Sequence, residues 1–505
     1  MALLPPLRLC ALAALSLSLS ACTTIQVDVP ASNVKAPDRF AQVDANATPG
    51  AADTDLARWW RTIPDPTLQA LIEKGLAANL DVRIAAARVR EARAVVTQAE
   101  SALYPTLAAL GYAGRTQQNE AGVQVPNQVQ LPAVAGLPAL PAINVPTPNV
   151  PKLPISTYSG HGFAATWEVD IFGSRRSDAE AARSAALANE ERLHGAQLMV
   201  AGDIAANYVE ARGLERRIEV LRLTIAEGER LQRYAQGRFD AGQATRYDVD
   251  RVNAQVQALR SGIAPLQTLL QARLRRLAVL TGQTPEQLPS LPAPSSAAPA
   301  DGSVIPAQLP AVLPSDVLER RPDVRATAQL VRARAAQLGS AKAELMPRFY
   351  FGFLANDGRI EIGDLGASGR FTSWGAGLYL PIFEAGRIRA RIRAGDAQLE
   401  AAIAQHEQTV LTALEDVENA YGTRRALDQR SAQLQSASQT ADLGARHAQR
   451  LFEEGNGLLQ RAVEARLDAL QRQDELIQAE TARALVTVAL YKAVGGGWAD
   501  PSRQR

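Results

Sequence analysis

The sequence predicts a mainly α-helical chain that also carries strands of a membrane β-barrel, built by duplicating one unit of paired strands and long helices. Three observations predict it. The chain repeats itself at a near-constant spacing. Segments of about ten residues alternate apolar and polar positions and end in aromatics. Between them run helical stripes far longer than a globular core requires.

The repeat comes first. "LDVRIAAARVREARA" (Leu80–Ala94) aligns without gaps on "PDVRATAQLVRARAA" (Pro322–Ala336), a spacing of 242, and "LYP" (Leu103–Pro105) falls on "LMP" (Leu345–Pro347) at the same spacing. "DIF" (Asp170–Phe172) matches "PIF" (Pro381–Phe383) at 211, and "RFDAG" (Arg238–Gly242) matches "LFEEG" (Leu451–Gly455) at 213. Gly282 of "LAVLTG" meets Gly495 of "LYKAVGGGW", also at 213, each where a glycine would end a helix. The drop in spacing places 31 extra residues in the first half, within the Pro-rich stretch Gln124–Pro154. That stretch reads as an extended, irregular loop.

The elements follow in order. Residues 1–21 form a leader: Arg8, then the apolar run Leu9–Ala21, too short to span a bilayer as a helix. It ends at "LSAC", Leu19–Cys22, which resembles a lipobox with Cys22 as the acylated first residue; the alternative is ordinary cleavage beside an incidental Cys. The other cysteine, Cys10, lies in the leader, so the mature chain has no disulfide to form. Residues 22–64 are an extended N-terminal segment. The first repeat, 65–283, opens with a helix from Pro66 to Tyr104, continues with strands at about 106–115 and 158–172 around a loop at 116–157, and ends in long helices. A Pro/Ala/Ser-rich linker, 284–314, leads to the second repeat, 315–498, with a helix from Ser315 to Met346 and strands at about 348–355 and 372–383. Residues 499–505 are a tail.

The strands carry the argument for a membrane. Phe163, Ala165, Trp167, Val169 and Ile171 share one face, and Glu168 and Asp170 lie on the other. Trp374, Ala376, Leu378, Leu380 and Ile382 share a face, as do Phe349, Phe351 and Phe353; Ala108, Leu110 and Tyr112 form the weakest set. Any one of these could be a half-buried soluble strand. The helices show apolar residues three or four apart, Ile204, Tyr208, Ala211, Leu214 and Ile218 in one half and Val410, Leu414, Val417 and Tyr421 in the other. The run from Ser174 to Gly237 is about 95 Å long at about 1.5 Å per residue, and one break is expected near Gly237–Gly242 or Gly455–Gly457 in each half.

Composition excludes other classes. A net charge of +2 with interspersed signs gives no electrostatic case for nucleic acid. The four His are far apart, so no metal-ligand spacing is present. No nucleophile elbow, phosphate loop or paired catalytic carboxylate occurs in a fitting context, so no catalytic residue and no cofactor are expected, apart from covalent lipid on Cys22. Four strands cannot close a membrane barrel, because the smallest have eight. Open edges in lipid leave backbone groups without partners, so several chains must share one barrel.

With the lipobox at Cys22, "WW" (Trp59–Trp60), "DPTLQALIEKGLAANLDVRIAAARVREARA" (Asp65–Ala94), "WEVDIFG" (Trp167–Gly173), "DVDRVNAQV" (Asp248–Val256), "LPSDVLERRPDVRA" (Leu313–Ala326) and "LYKAVGGGW" (Leu490–Trp498), the chain resembles the outer-membrane efflux proteins, the TolC/OprM-like outer-membrane factors, and most closely their NodT-type lipoprotein branch. The resemblance covers nearly the whole mature chain. It implies a homotrimer with a twelve-stranded β-barrel in the outer membrane and a long periplasmic α-helical barrel. It implies a passive exit duct for drugs and other small molecules, docked on a periplasmic adaptor (membrane fusion protein) and an inner-membrane transporter of the resistance-nodulation-division class. A type I secretion duct shares the fold, and a periplasmic adaptor lipoprotein is the remoter alternative. The resemblance also places an acidic aperture ring within "AVEA" (Ala462–Ala465), where Glu464 stands for the usual Asp and Arg461 can pair with it locally or across chains. The bland reading of this pair is an exposed helix-surface ion pair. Gly242, Gly455 and Gly457 mark hairpin tips where positive φ is expected; they would meet the adaptor, or simply permit the turn.

Overall fold

A computed structural model of the chain describes residues 25, 27–30, 34–42, 56–116, 128–129, 143–144, 156–287, 291, 314–362 and 365–496. Cys22, Trp498, the tail, and most of the Pro-rich loop and the linker lie outside the described residues. The fold divides into two compact units. One comprises the described residues of 1–31, 91–187 and 329–404; the other those of 32–90, 188–328 and 405–505.

A 3-10 helix, Leu56–Thr62, precedes α1 (Pro66–Ala78) and α2 (Leu80–Ser101). Strand β1 (Thr106–Thr116), the two-residue pair β2 (Gln128–Val129) and β3 (Ile143–Asn144), and β4 (Ser156–Val169) follow. Next come α3 (Ser174–Asp240), α4 (Arg246–Ser261) and α5 (Ile263–Leu280). The second half holds α6 (Pro314–Arg320), α7 (Pro322–Ala343), β5 (Arg348–Ile362), β6 (Leu365–Tyr379), α8 (Arg387–Glu453) and α9 (Leu459–Ala493). The single opening helix expected in each half is therefore two. The breaks fall at Asn79 and Arg321, 242 apart.

The first unit carries one antiparallel four-stranded sheet in the order β1-β4-β5-β6. Its register puts Trp167 opposite Phe351 and Phe353 opposite Trp374, so the expected aromatic face is assembled from three strands. β1 joins differently from the expectation. Leu107 and Ala109 lie opposite Ala165 and Phe163, so Ala108, Leu110 and Tyr112 belong to the opposite face. Alternating Ala and Leu left that choice undetermined by hydrophobicity. Glycines settle it: a Cβ on Gly160 would sit 2.5 Å from the Tyr112 hydroxyl, and one on Gly114 would collide with the Tyr158 ring. The Tyr112 hydroxyl also accepts from Asn356 Nδ2 at 2.7 Å.

Strand ends also shift. β4 stops at Val169 rather than 172, because Asp170 turns to accept from Arg176 N at 2.8 Å and Gly173 takes a φ of 83°. β6 stops at Tyr379 rather than 383, just before Pro381, which has no N–H to give a ladder. β5 and β6 run on through the polar residues 356–362 and 365–371, which composition left as loop; residues 356–362 find a ladder partner in residues 156–162 of β4.

The second unit has the larger core. Trp59 stacks on Tyr491 with ring centroids 4.8 Å apart, among Ile63, Leu68, Ile72, Ile204 and Leu277. Asp65 caps α1 through bonds from Thr67 N and Leu68 N at 3.0 and 3.1 Å, and its second oxygen accepts from the Tyr208 hydroxyl at 2.6 Å. Burial first, and then the Asp65 carboxylate, push that phenol well above its ordinary 10.

Glycine closes each repeat in the same way. Among the described residues, the positive-φ glycines form three pairs at a spacing of 213: Gly173 with Gly386, Gly242 with Gly455, and Gly282 with Gly495. Gly282 lies against the first helix break, where a Cβ would meet the Ala78 carbonyl oxygen at 2.7 Å; Gly495 lies against the second, where one would meet Arg320 C and Arg321 N at 3.1 Å. Side chains bind across the same joints. Asn79 Nδ2 donates to the Leu280 carbonyl at 2.9 Å, and Arg321 Nη1 donates to the Ala493 carbonyl at 3.1 Å.

His406 is half-buried against the Thr327 hydroxyl at 2.9 Å. Burial lowers its pKa below the ordinary 6.5, against a partial opposing pull from Glu407. The unfolded chain therefore binds this proton at higher pH than the fold does. Its contribution to stability is complete above pH 6.5 and is lost as pH falls through the folded value. The His406→Gln variant is expected to lose less stability than the wild type between pH 7.5 and 5.5, as read by thermal unfolding. Equal losses would contradict the assignment.

Candidate functional site

The two hairpin tips are built on one plan. At the first, Gly242 takes a φ of 71°, and Gln243 N closes the helix end on the Arg238 carbonyl at 2.8 Å. At the second, Gly455 takes 76°, and Asn456 N reaches the Leu451 carbonyl at 2.8 Å. Both are Schellman closures, which require a residue free of the left-handed penalty. Gly457 departs from the expectation, since its φ is not positive. Its need is space: a Cβ there would come within 3.2 Å of Phe452 N.

The helices leaving the tips start differently. Thr245 caps α4 in a reciprocal box with Asp248, whose carboxylate is held below its usual range by the bonds from the Thr245 hydroxyl and backbone. Leu458 gives α9 no side-chain cap.

Glu464 lies in the second turn of α9. Its neighbour Val463 is buried with Leu231, Ala235, Val252 and Val256, which pins that turn in the second unit. One position on, Glu464 faces a cleft of about 680 Å³ with Arg217, Leu221, Gln255, Pro265 and Asp468. Asp474 in this cleft pairs with Arg217 at 2.8 Å, and Asp468 with Arg472 at 3.3 Å. Glu464 instead accepts from Gln460 Nε2 at 2.9 Å. The local Arg461–Glu464 pair is thus not formed. Gln460, one turn back on the same face, occupies the carboxylate instead. Among the described residues, Glu464 is the cleft carboxylate without an arginine.

The wall of this cleft holds a break that helical periodicity alone does not predict. The returning helix of the first half is cut between Ser261 and Ile263, whereas α9 is continuous. Pro265 removes an N–H and crowds the carbonyl four residues earlier. The positions 213 further on from Gly262 and Pro265 are Glu475 and Gln478, which do neither. The signal is legible as "GIAP" without a counterpart in the second half.

Comparison with known proteins assigns this architecture. The profile of the family described as outer membrane efflux protein matches residues 71–283 and 313–496. The chain belongs to the outer membrane efflux protein family. The pyoverdine export outer membrane protein OpmQ of Pseudomonas putida is 27% identical over 99% of both chains. Nodulation protein T of Rhizobium leguminosarum bv. trifolii is 26% identical over 88% of this chain and 89% of its own length. The outer-membrane channel OprN superposes with a TM-score of 0.77 at 27% identity, covering 95% of this chain and all of that one. This member of the family is an outer-membrane channel component of an efflux system, and its family is one of transport proteins rather than enzymes.

Proposed function

We propose that this efflux protein is one third of a homotrimeric exit duct. The observation that carries the reading is the four-stranded sheet, in which, among the described residues, β1 and β6 each have one ladder partner and one open edge. Trp167, Phe351, Phe353 and Trp374 stand exposed on one face of it. Backbone groups on an open edge go without partners in lipid, so closure needs further copies, and three supply twelve strands. The tips at Gly242, Gly455 and Gly457 dock on a periplasmic adaptor, which couples the duct to an inner-membrane transporter of the resistance-nodulation-division class. The cargo is small molecules, a reading supported by the pyoverdine export named for OpmQ. Cys22 carries the lipid, and an acylated N-terminal peptide in the intact mass of the mature protein would establish it. The detergent-corrected mass is expected to equal three chains and to persist on dilution; a monomer after mild extraction would overturn the reading.

Glu464 is the aperture acid in this proposal. Without an arginine beside it, three copies near the threefold axis attract cations and repel anions. Glu464→Ala is expected to raise conductance in planar bilayers and to weaken cation preference. Unchanged conductance and selectivity would remove Glu464 from the aperture.

A further inference from the structure

The start of α8 carries four arginines in alternate positions, Arg387, Arg389, Arg391 and Arg393, all exposed. Cations in the first turns of a helix oppose its macrodipole, so helix stability does not explain them. They divide into two faces. Arg391 pairs with Glu344, and Arg387 lies 4.0 Å from the same carboxylate. Glu344 is within electrostatic reach of Arg348, which binds Glu168 at 2.6 Å on the polar face of the sheet. Arg389 and Arg393 are each two positions from Arg391, about 200° around the helix. They therefore lie on the side of α8 turned away from Glu344. Among the described residues, neither makes an ion pair.

What lies beside them is apolar. Between the end of β6 and the start of α8, Ile382 is 93% exposed and Phe383 88% exposed. The corresponding turn of the first half is neutralised: Arg176, 213 before Arg389, is bound to Asp170 at 3.3 Å, and Glu180 stands where the second half has Arg393. We propose that Arg389 and Arg393 bind the phosphate headgroups of anionic phospholipid in the periplasmic leaflet, with Ile382 and Phe383 seated in the acyl region beside them. The proposal rests on the aromatic strand face being the lipid-facing one. Charge complementarity and continuity with that face select this occupant. A guanidinium is suited to phosphate, and basic residues at an apolar belt gain from anionic lipid.

The test is native mass spectrometry of the full chain in detergent, titrated with phosphatidylglycerol and, separately, phosphatidylcholine. The wild type is expected to retain phosphatidylglycerol preferentially. The Arg389→Gln/Arg393→Gln double variant is expected to lose about thirtyfold of that affinity, two charges at the surface being removed, with phosphatidylcholine binding unchanged. The Arg387→Gln/Arg391→Gln variant is expected to behave as the wild type. Phosphatidylglycerol retention in the Arg389/Arg393 variant equal to the wild type, or a loss that follows Arg387 and Arg391 instead, overturns the proposal. The trimer proposal fails separately, through the protein mass in the same spectra.

Discussion

Gly282→Ala and Gly495→Ala are each expected to destabilise the purified protein by about 2–5 kcal/mol. Two penalties combine. An alanine held at positive φ costs about 1–2 kcal/mol. The added methyl also meets backbone that has nowhere to go: the Ala78 carbonyl oxygen at 2.7 Å in one half, Arg320 C and Arg321 N at 3.1 Å in the other. Forcing such a contact costs about 1–3 kcal/mol further. Gly237→Ala is the control. It lies inside α3 with nothing within 4 Å of an added methyl, and it is expected to be neutral or to gain up to about 1 kcal/mol. The midpoint of thermal unfolding in detergent reads all three. If Gly282→Ala and Gly237→Ala gave the same midpoint, close packing at the repeat ends would not be the reason for these glycines.

Arg321→Met is expected to cost about 1.5–3 kcal/mol, the range for losing hydrogen bonds to a charged group. The guanidinium is buried at the second helix break and donates to Asp323 at 2.7 Å, Asp416 at 3.0 Å and the Ala493 carbonyl at 3.1 Å. Burial alone would lower its pKa, but Asp323 and Asp416 outweigh it and the group is held above its ordinary value. Both carboxylates are about half-exposed, so water takes up part of what they lose, which keeps the cost below that of a fully buried pair. Arg321→Lys restores the charge but not the fork, and should recover only part of the loss. A wild-type midpoint for Arg321→Met would show that this joint is held by packing alone.

The glycines and Arg321 also show what a sequence can disclose. Gly242, Gly282, Gly455 and Gly495 were readable because left-handed backbone is a local demand, written at the position where it is met. Arg321 stood inside a recognisable stretch, "LERRPDVRA", yet its task was not readable. Its partners Asp416 and Ala493 lie 95 and 172 residues away and meet it only when three helices pack. The strands followed the same division. Aromatic alternation in β4 and β6 placed Trp167 and Trp374 on one face, whereas in β1 alanine and leucine alternated without contrast, and glycines on the neighbouring strand decided. At the candidate aperture, the resemblance singled out Glu464. That its partner is Gln460 rather than Arg461 depended on side-chain reach, which spacing alone does not rank.

The open edges of β1 and β6 bear on how such a protein is supplied. If lipid tolerates the sheet only when three copies close it, there is no inserted monomer to act as a reservoir. Insertion and assembly are then one event, and the equilibrium number of finished ducts varies with the cube of the free chain concentration. Halving the free chain would cut the ducts to about one eighth. A fall in synthesis that drains the pool of free chains would therefore cut the formation of ducts more steeply than in proportion, with no switch in the protein itself.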